Sequence, residues 1–157
     1  MAEKDDILTE LRLAHDGEPW HGPSRARVLA DITFQEAIRP PGPAGHSIWE
    51  LVLHMRAWTR EVARRVREGS PGMPEEGDYP AIVAPSPESW RAAVDSLGPA
   101  HAEIIEAVGE MSEAQLGERV GGSAGGATCR AMLHGLAQHD AYHTGQIAIL
   151  KKIYRGR

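Results

Sequence analysis

The sequence has almost no cysteine, little phenylalanine, no long apolar run and no surplus of positive charge. Cys129 is the single cysteine in 157 residues, so no disulfide can form within the chain, and a reducing compartment suits it best. No apolar stretch approaches the roughly 18 residues that a membrane span needs. The opening Met1–Asp6 is acidic and polar and lacks the basic-then-apolar order of a signal peptide. A cytoplasmic location without membrane contact is therefore expected. The formal net charge of −5 argues against a nucleic-acid partner, because phosphate recognition needs a basic face. Lys151, Lys152, Arg155 and Arg157 gather near the C-terminus, where cations suit the negative end of a helix dipole.

The chain is rich in histidine, with eight, and has four tryptophans against one phenylalanine. Its length fits one domain over residues 1–157, with enough chain to bury a core. Ile7, Leu8 and Leu11 recur at helical spacing and predict a helix over about 3–16, with Gly17 as its stop. After a break at Trp20–Ser24, Ser24 is expected to cap a second piece carrying Val28, Leu29 and Ile32. Thr33 and Glu36 have capping-box spacing for one short turn, which the prolines at 40, 41 and 43 end.

Ser47 and Glu50 form a second such box. It opens a helix to about Glu68, with Ile48, Leu51, Val52, Met55, Thr59, Val62 and Val66 along one stripe. Residues 69–85 read as a long surface loop, which in a small domain is often functional or mobile. A further helix is predicted over about Pro87–Glu110, interrupted at Gly98-Pro99. Gly121–Gly126 reads as a flexible linker, not a phosphate loop, since no Gly-Lys-Ser/Thr follows it. Thr128 caps a last helix running to about Tyr154. No strand pattern or internal repeat is evident.

His139 and His143 stand four apart in that last helix, a spacing that stacks two side chains on one face. Chance alone gives about 0.4 such pairs for this histidine content, so the spacing by itself is weak. Phase says more. At about 100° per residue, both fall within a stripe of Met132, Leu136, Tyr142, Gln146, Ile149, Leu150 and Ile153, with His134 and Thr144 on the other side. Two inward imidazoles need partners, because a buried unsatisfied polar group costs about 1–3 kcal/mol. A shared metal satisfies both, and so does a hydrogen-bonded pair in a wet core. His54 is the best third ligand, since it lies mid-helix at the border of the earlier stripe with Glu50, Trp58 and Glu61 on its face. Three ligands and an open position are the pattern of a catalytic zinc site. His15 is expected at a helix end, complementing its dipole; His101 after the break, exposed; His46 in a turn role beside Ser47; and His21 in a loop.

His139-Asp140-Ala141-Tyr142-His143-Thr144-Gly145-Gln146-Ile147 resembles the C-terminal signature H-x-x-x-H-x-G-Q-[IL] of DinB/YfiT-like proteins. His46–His54 resembles the earlier S-[IL]-x-E-x-x-x-H segment, and Trp20–Ser24 a loop of one branch. The resemblance implies an all-α, four-helix bundle with long crossover connections and a metal triad at His54, His139 and His143. It also implies kinship with thiol-dependent transferases and isomerases, such as the mycothiol-dependent maleylpyruvate isomerases and the bacillithiol transferases.

The resulting expectation is a divalent metal, zinc or nickel, serving a thiol S-transferase that acts on a small molecule, with a low-molecular-weight thiol as co-substrate. A metal-dependent hydrolase and a non-enzymatic, stress-associated metal-binding protein are the alternatives. A pocket lined by Trp20, Trp58 and the 69–85 loop would favour an enzyme. Glu50 either orients His54 or acts as a base, or merely completes the Ser47 box. Gln146 either holds a ligand imidazole from outside or fills a polar edge of the core. Asp140 is expected to face another helix or solvent, and Tyr142 either steadies a ligand or packs. Cys129, in a first helical turn, is either redox-active or inert. Ala141, Thr144, Gly145 and Ala148 permit close packing, either with a second copy in a homodimer or with the first helix.

Overall fold

The computed structural model describes residues 2–43, 45–122 and 126–156. Part of the glycine-rich linker (123–125) and the cation Arg157 therefore lie outside the described residues. Among the described residues seven α-helices follow one another: α1 (Glu3–His15), α2 (Arg25–Leu29), α3 (Phe34–Ile38), α4 (Ile48–Glu68), α5 (Pro87–Asp95), α6 (Leu97–Glu110) and α7 (Cys129–Tyr154). A 3-10 turn at Ala114–Gly117 precedes α7. No strand forms among the described residues beyond an isolated bridge between Arg119 and Thr128.

The helix starts follow local chemistry. Thr33 and Ser47 both complete reciprocal capping boxes with Glu36 and Glu50. Thr128 accepts the Ala131 N–H at the head of α7. α4 ends at Gly69 in the left-handed conformation (φ 64°), where glycine carries no Cβ penalty. Ser24 occupies the cap position of α2, but its hydroxyl makes no capping bond and is buried without a partner. The break expected at Gly98-Pro99 falls earlier, at Ser96 between α5 and α6. Pro99 then lies in the first turn of α6, where proline is tolerated because its missing N–H has no helical partner.

The four long helices α1, α4, α6 and α7 form the bundle. α4 packs on α6 and α7, and α1 packs on the same two, so α1 and α4 occupy opposite corners. Two apolar clusters fill it. One joins Ile7, Leu11, Val62, Ile104, Val108 and Leu133; the other joins Val28, Ile48, Val52, Met55, Trp90 and Ile147. The first half of α4 lies in the second cluster and its last third in the first, while α7 runs the other way. The same reading makes α6 parallel to α4 and α1 parallel to α7. The chain thus crosses the bundle twice, once through α2 and α3 and once through the 3-10 turn. No described helix is long and apolar enough to cross a membrane.

Between the clusters lies a polar layer. His15 of α1 and His101 of α6 stack with ring centroids 4.0 Å apart. Arg25 of α2 lies 2.6 Å from His15 Nδ1 and donates to Asp140 Oδ2 of α7 at 2.8 Å. His54, His139 and His143 complete the layer. The expected dipole role of His15 is corrected here: burial and the Arg25 charge push its pKa down to about 4, so it is a neutral acceptor. His101, expected to be exposed, is half-buried against it, and its pKa is likewise pushed down to about 4, chiefly by burial.

Candidate metal centre

His54 stands at the seventh position of α4, inside the stretch that buries residues on nearly every side. It is itself buried and does not merely border the apolar stripe. His139 and His143 lie one turn apart on α7, His143 buried and His139 half-buried. The buried arc of α7 is Leu133, Leu136, Asp140, His143, Thr144 and Ile147. It is rotated by about a quarter turn from the stripe expected from hydrophobicity. Tyr142, Ile149 and Ile153 are exposed, and Thr144, expected outside, is buried. The cause is Arg25: by pairing with Asp140 it lets a polar face turn inward, and it leaves His139 at the rim. Ala141, Thr144, Gly145 and Ala148 face Val28 of α2 and Pro23 just before it across a groove.

The three imidazoles converge. Their ring centroids are 4.4–4.9 Å apart, with planes turned by 44–77°. Nε2 of His54 and Nε2 of His139 are 2.9 Å apart. One ligand atom from each residue lies within 4.8 Å of the others, a spacing at which three histidines can hold a metal ion. Bonds of roughly 2.1 Å to a common centre require nitrogens about 3–3.5 Å apart, so small rotations suffice.

Outer contacts fix which nitrogens face inward. His54 Nδ1 donates to the Asp78 carbonyl at 2.7 Å, which can only accept, so Nε2 presents its lone pair. His143 Nδ1 donates to Gln146 Oε1 at 2.6 Å, with the same consequence. His139 Nδ1 is buried and has no hydrogen-bond partner among the described residues. Burial, then the neighbouring His143 and His54, push the His139 pKa down to about 4. Burial likewise lowers that of His143. Neutral imidazole is the ligating form, so the donor set fits a divalent metal.

The 69–85 segment passes directly over the site. Tyr79 stacks between His46 and His54, with centroids 3.6 and 4.3 Å away. Trp58 Nε1 donates to Asp78 Oδ1 at 2.7 Å, and Arg56 and Arg60 both pair with Glu76. Asp78, Tyr79 and Arg25 escaped sequence reasoning. The length and position of the loop pointed to the first two; nothing pointed to Arg25.

The remaining candidates sort plainly. Glu50 Oε2 takes both the Ser47 N–H and its hydroxyl, and so completes the cap. Trp58 lies edge-on to His54, but Trp20 is fully exposed and lines a separate groove between α1 and α7. The expected pocket is corrected accordingly: the cleft nearest the histidines takes Tyr79 from the loop and is lined by neither Trp20 nor Trp58. Tyr142 is exposed and edge-on to His143. His134 bonds Glu10 of α1. Cys129 is buried, and burial with the Glu118 charge pushes its thiol up, which suits an inert side chain.

Comparison with known proteins places this arrangement. No curated protein matches the chain significantly. The crystal structure of a conserved protein from Enterococcus faecalis is similar with a TM-score of 0.71 and 18% identity, covering 100% of this chain and 99% of that one. At that identity the likeness shows the shared fold. The family model of the DinB superfamily matches residues 24–147, a span that takes in both histidine segments and the whole of α4. A helical bundle with two crossing connections and a histidine group drawn from α4 and α7 is thus the form that a family takes in this chain, which belongs to the DinB superfamily.

Proposed function

We propose that the chain holds one divalent metal ion, zinc or nickel, through His54, His139 and His143 and serves as a thiol S-transferase acting on a small molecule. The observation that carries this reading is the convergence of three imidazoles from two helices, two of them locked by outer hydrogen bonds that leave Nε2 facing inward. A bound divalent metal supplies positive charge that favours the thiolate form of a thiol at the position left open by three ligands. The chain's own residues hold the rest. Asp78 and Gln146 set the ring orientations, Tyr79 and Trp58 shield the His54 side from water, and Tyr142 edges His143 at the surface.

Transfer is favoured over hydrolysis by what surrounds the triad. Water activation benefits from a carboxylate base within reach; Glu50 is spent on the Ser47 cap, and the Asp78 carboxylate, 3.2 Å from His54 Nδ1, takes the Trp58 indole N–H on the outer side of that ring, away from Nε2. The surroundings are aromatic, as suits a thiolate and an apolar electrophile. A cleft near the triad, and three ligands with no fourth among the described residues, support an enzyme over a purely structural metal.

The test is metal analysis after zinc or nickel loading. Wild type is expected to carry one ion per chain and His139→Ala none, with loss exceeding the roughly 10–100-fold that an outer partner contributes. Retention of one ion by His54→Ala, His139→Ala and His143→Ala alike sinks the proposal. A conjugation screen with glutathione, mycothiol and bacillithiol against electrophilic aryl halides then checks the transferase step.

A further inference from the structure

An open cleft of about 290 Å³ lies beside the triad, walled by α4, α7, the segment before α4 and Tyr79. Gln146, which bonds His143, and Tyr79, which stacks on His54, form part of its wall, so a single side chain separates it from each of two imidazoles. Its body is apolar: Pro41, Leu51, Ile149 and Leu150. Among the described residues no lysine, arginine, aspartate or glutamate lines it. Ile149 is 59% exposed at its rim.

Gln146 gives the cleft its single directional group on α7. Its Oε1 is taken by His143 Nδ1 at 2.6 Å. What remains is the amide N–H pair, whose one contact is a long 3.4 Å approach to Tyr142 Oη. The amide orientation is therefore set by His143, and a half-exposed donor is left over at the edge of the apolar lining. A donor so placed selects for an acceptor. The lack of charge in the lining selects against ions, whose desolvation would go uncompensated. The volume suits a small molecule and is too small for a helix or a peptide strand.

We propose that this cleft binds a small neutral molecule with a ring-sized apolar body and one hydrogen-bond acceptor, such as a carbonyl oxygen, anchored by Gln146 Nε2. The inference rests on the metal reading for its place in a reaction and deepens it by naming the class of electrophile; binding itself needs no metal. It sets Gln146 as a positioning residue with two duties, one toward His143 and one toward the ligand.

The experiment titrates acetophenone into the full chain, metal-free and zinc-loaded, and follows isoleucine and leucine methyl resonances. Saturable shifts are expected at Leu51, Ile149 and Leu150 in both forms. Ethylbenzene, which lacks the acceptor, should bind about 2–10-fold more weakly, the worth of one neutral hydrogen bond. Benzenesulfonate should bind at least as weakly as ethylbenzene. In metal-free protein Gln146→Leu should bring acetophenone down to the ethylbenzene level. Ile149→Trp, at an exposed site, should abolish the shifts of Leu51 and Leu150 while the melting temperature and zinc stoichiometry hold. The proposal is overturned if benzenesulfonate binds as tightly as acetophenone, if the shifts fall elsewhere, or if binding survives Ile149→Trp. Zinc content read in the same samples separates the two ideas: a chain that holds one zinc and shows no shifts sinks the cleft alone, whereas shifts in a chain that takes no zinc sink the metal reading alone.

Discussion

His139 differs from its two companions by one hydrogen bond. The Asp78 carbonyl and Gln146 Oε1 each fix an imidazole, while His139 Nδ1 meets no partner among the described residues. Its proton is therefore the mobile one in the group. In the metal-free chain a proton on His139 Nε2 is donated to His54, and ligation requires the other tautomer. Replacing Gln146 with leucine removes one fixed tautomer, and zinc affinity should fall by about 10–100-fold in a chelator competition. Glu50→Gln makes the contrasting prediction. Glutamine serves a capping box as well as glutamate, so zinc affinity should stay within about 2-fold, near the error of small surface changes. A larger loss would mean that Glu50 acts on His54 after all. The triad itself was legible because histidines at helical spacing carry a phase that can be reckoned residue by residue. Asp78 was not legible, because its carbonyl bond to His54 is one that any residue type supplies, and its carboxylate meets Trp58 and His54 only through the path of a long loop.

Among the elements, α4 was readable almost to its ends. Ser47, Glu50 and Gly69 mark its limits by chemistry that is local in sequence. Ser47→Ala removes one half of the box and should cost about 1 kcal/mol in urea unfolding. The orientation of α7 was not readable. Hydrophobicity turned it by about a quarter turn because Asp140 and Thr144 count as polar, and only a partner 115 residues away, Arg25, makes a buried Asp140 tenable. The long loop has its reason in topology. α4 and α6 lie side by side and run the same way, so the chain must return along the roughly 30 Å that 21 helical residues span. Asp78 and Tyr79 fall about midway along that return, level with the histidines. Trp58→Phe deletes the indole donor to Asp78; it should loosen this crossing and raise protease cleavage within 69–85, with α4 itself intact by circular dichroism.

For the molecule as a whole, the polar layer sets stability. Arg25 is 1% exposed and Asp140 4%. Removing one member strands the other's charge, so Asp140→Leu should cost about 3–5 kcal/mol, while Arg25→Met with Asp140→Leu should recover most of it. Acid acts on the same layer. His15 and His101 have pKa values near 4 in the fold against an ordinary 6.5. The unfolded chain thus binds more protons between those values. Stability is full above about pH 6.5 and is lost as pH falls toward 4, on the order of 1–2 kcal/mol for the pair once solvent screening is discounted. A flat unfolding midpoint over that range would refute the assignment.

The two greasy clusters on either side of this layer meet through α4 and α7, which run through both. Each end of the bundle can consequently open as its own cooperative block, with the polar layer as the seam between them. An ion gripped by both helices at that seam would act as a rivet. Deuterium uptake at the middle turns of α4 and α7 should slow on zinc addition far more than at either tip.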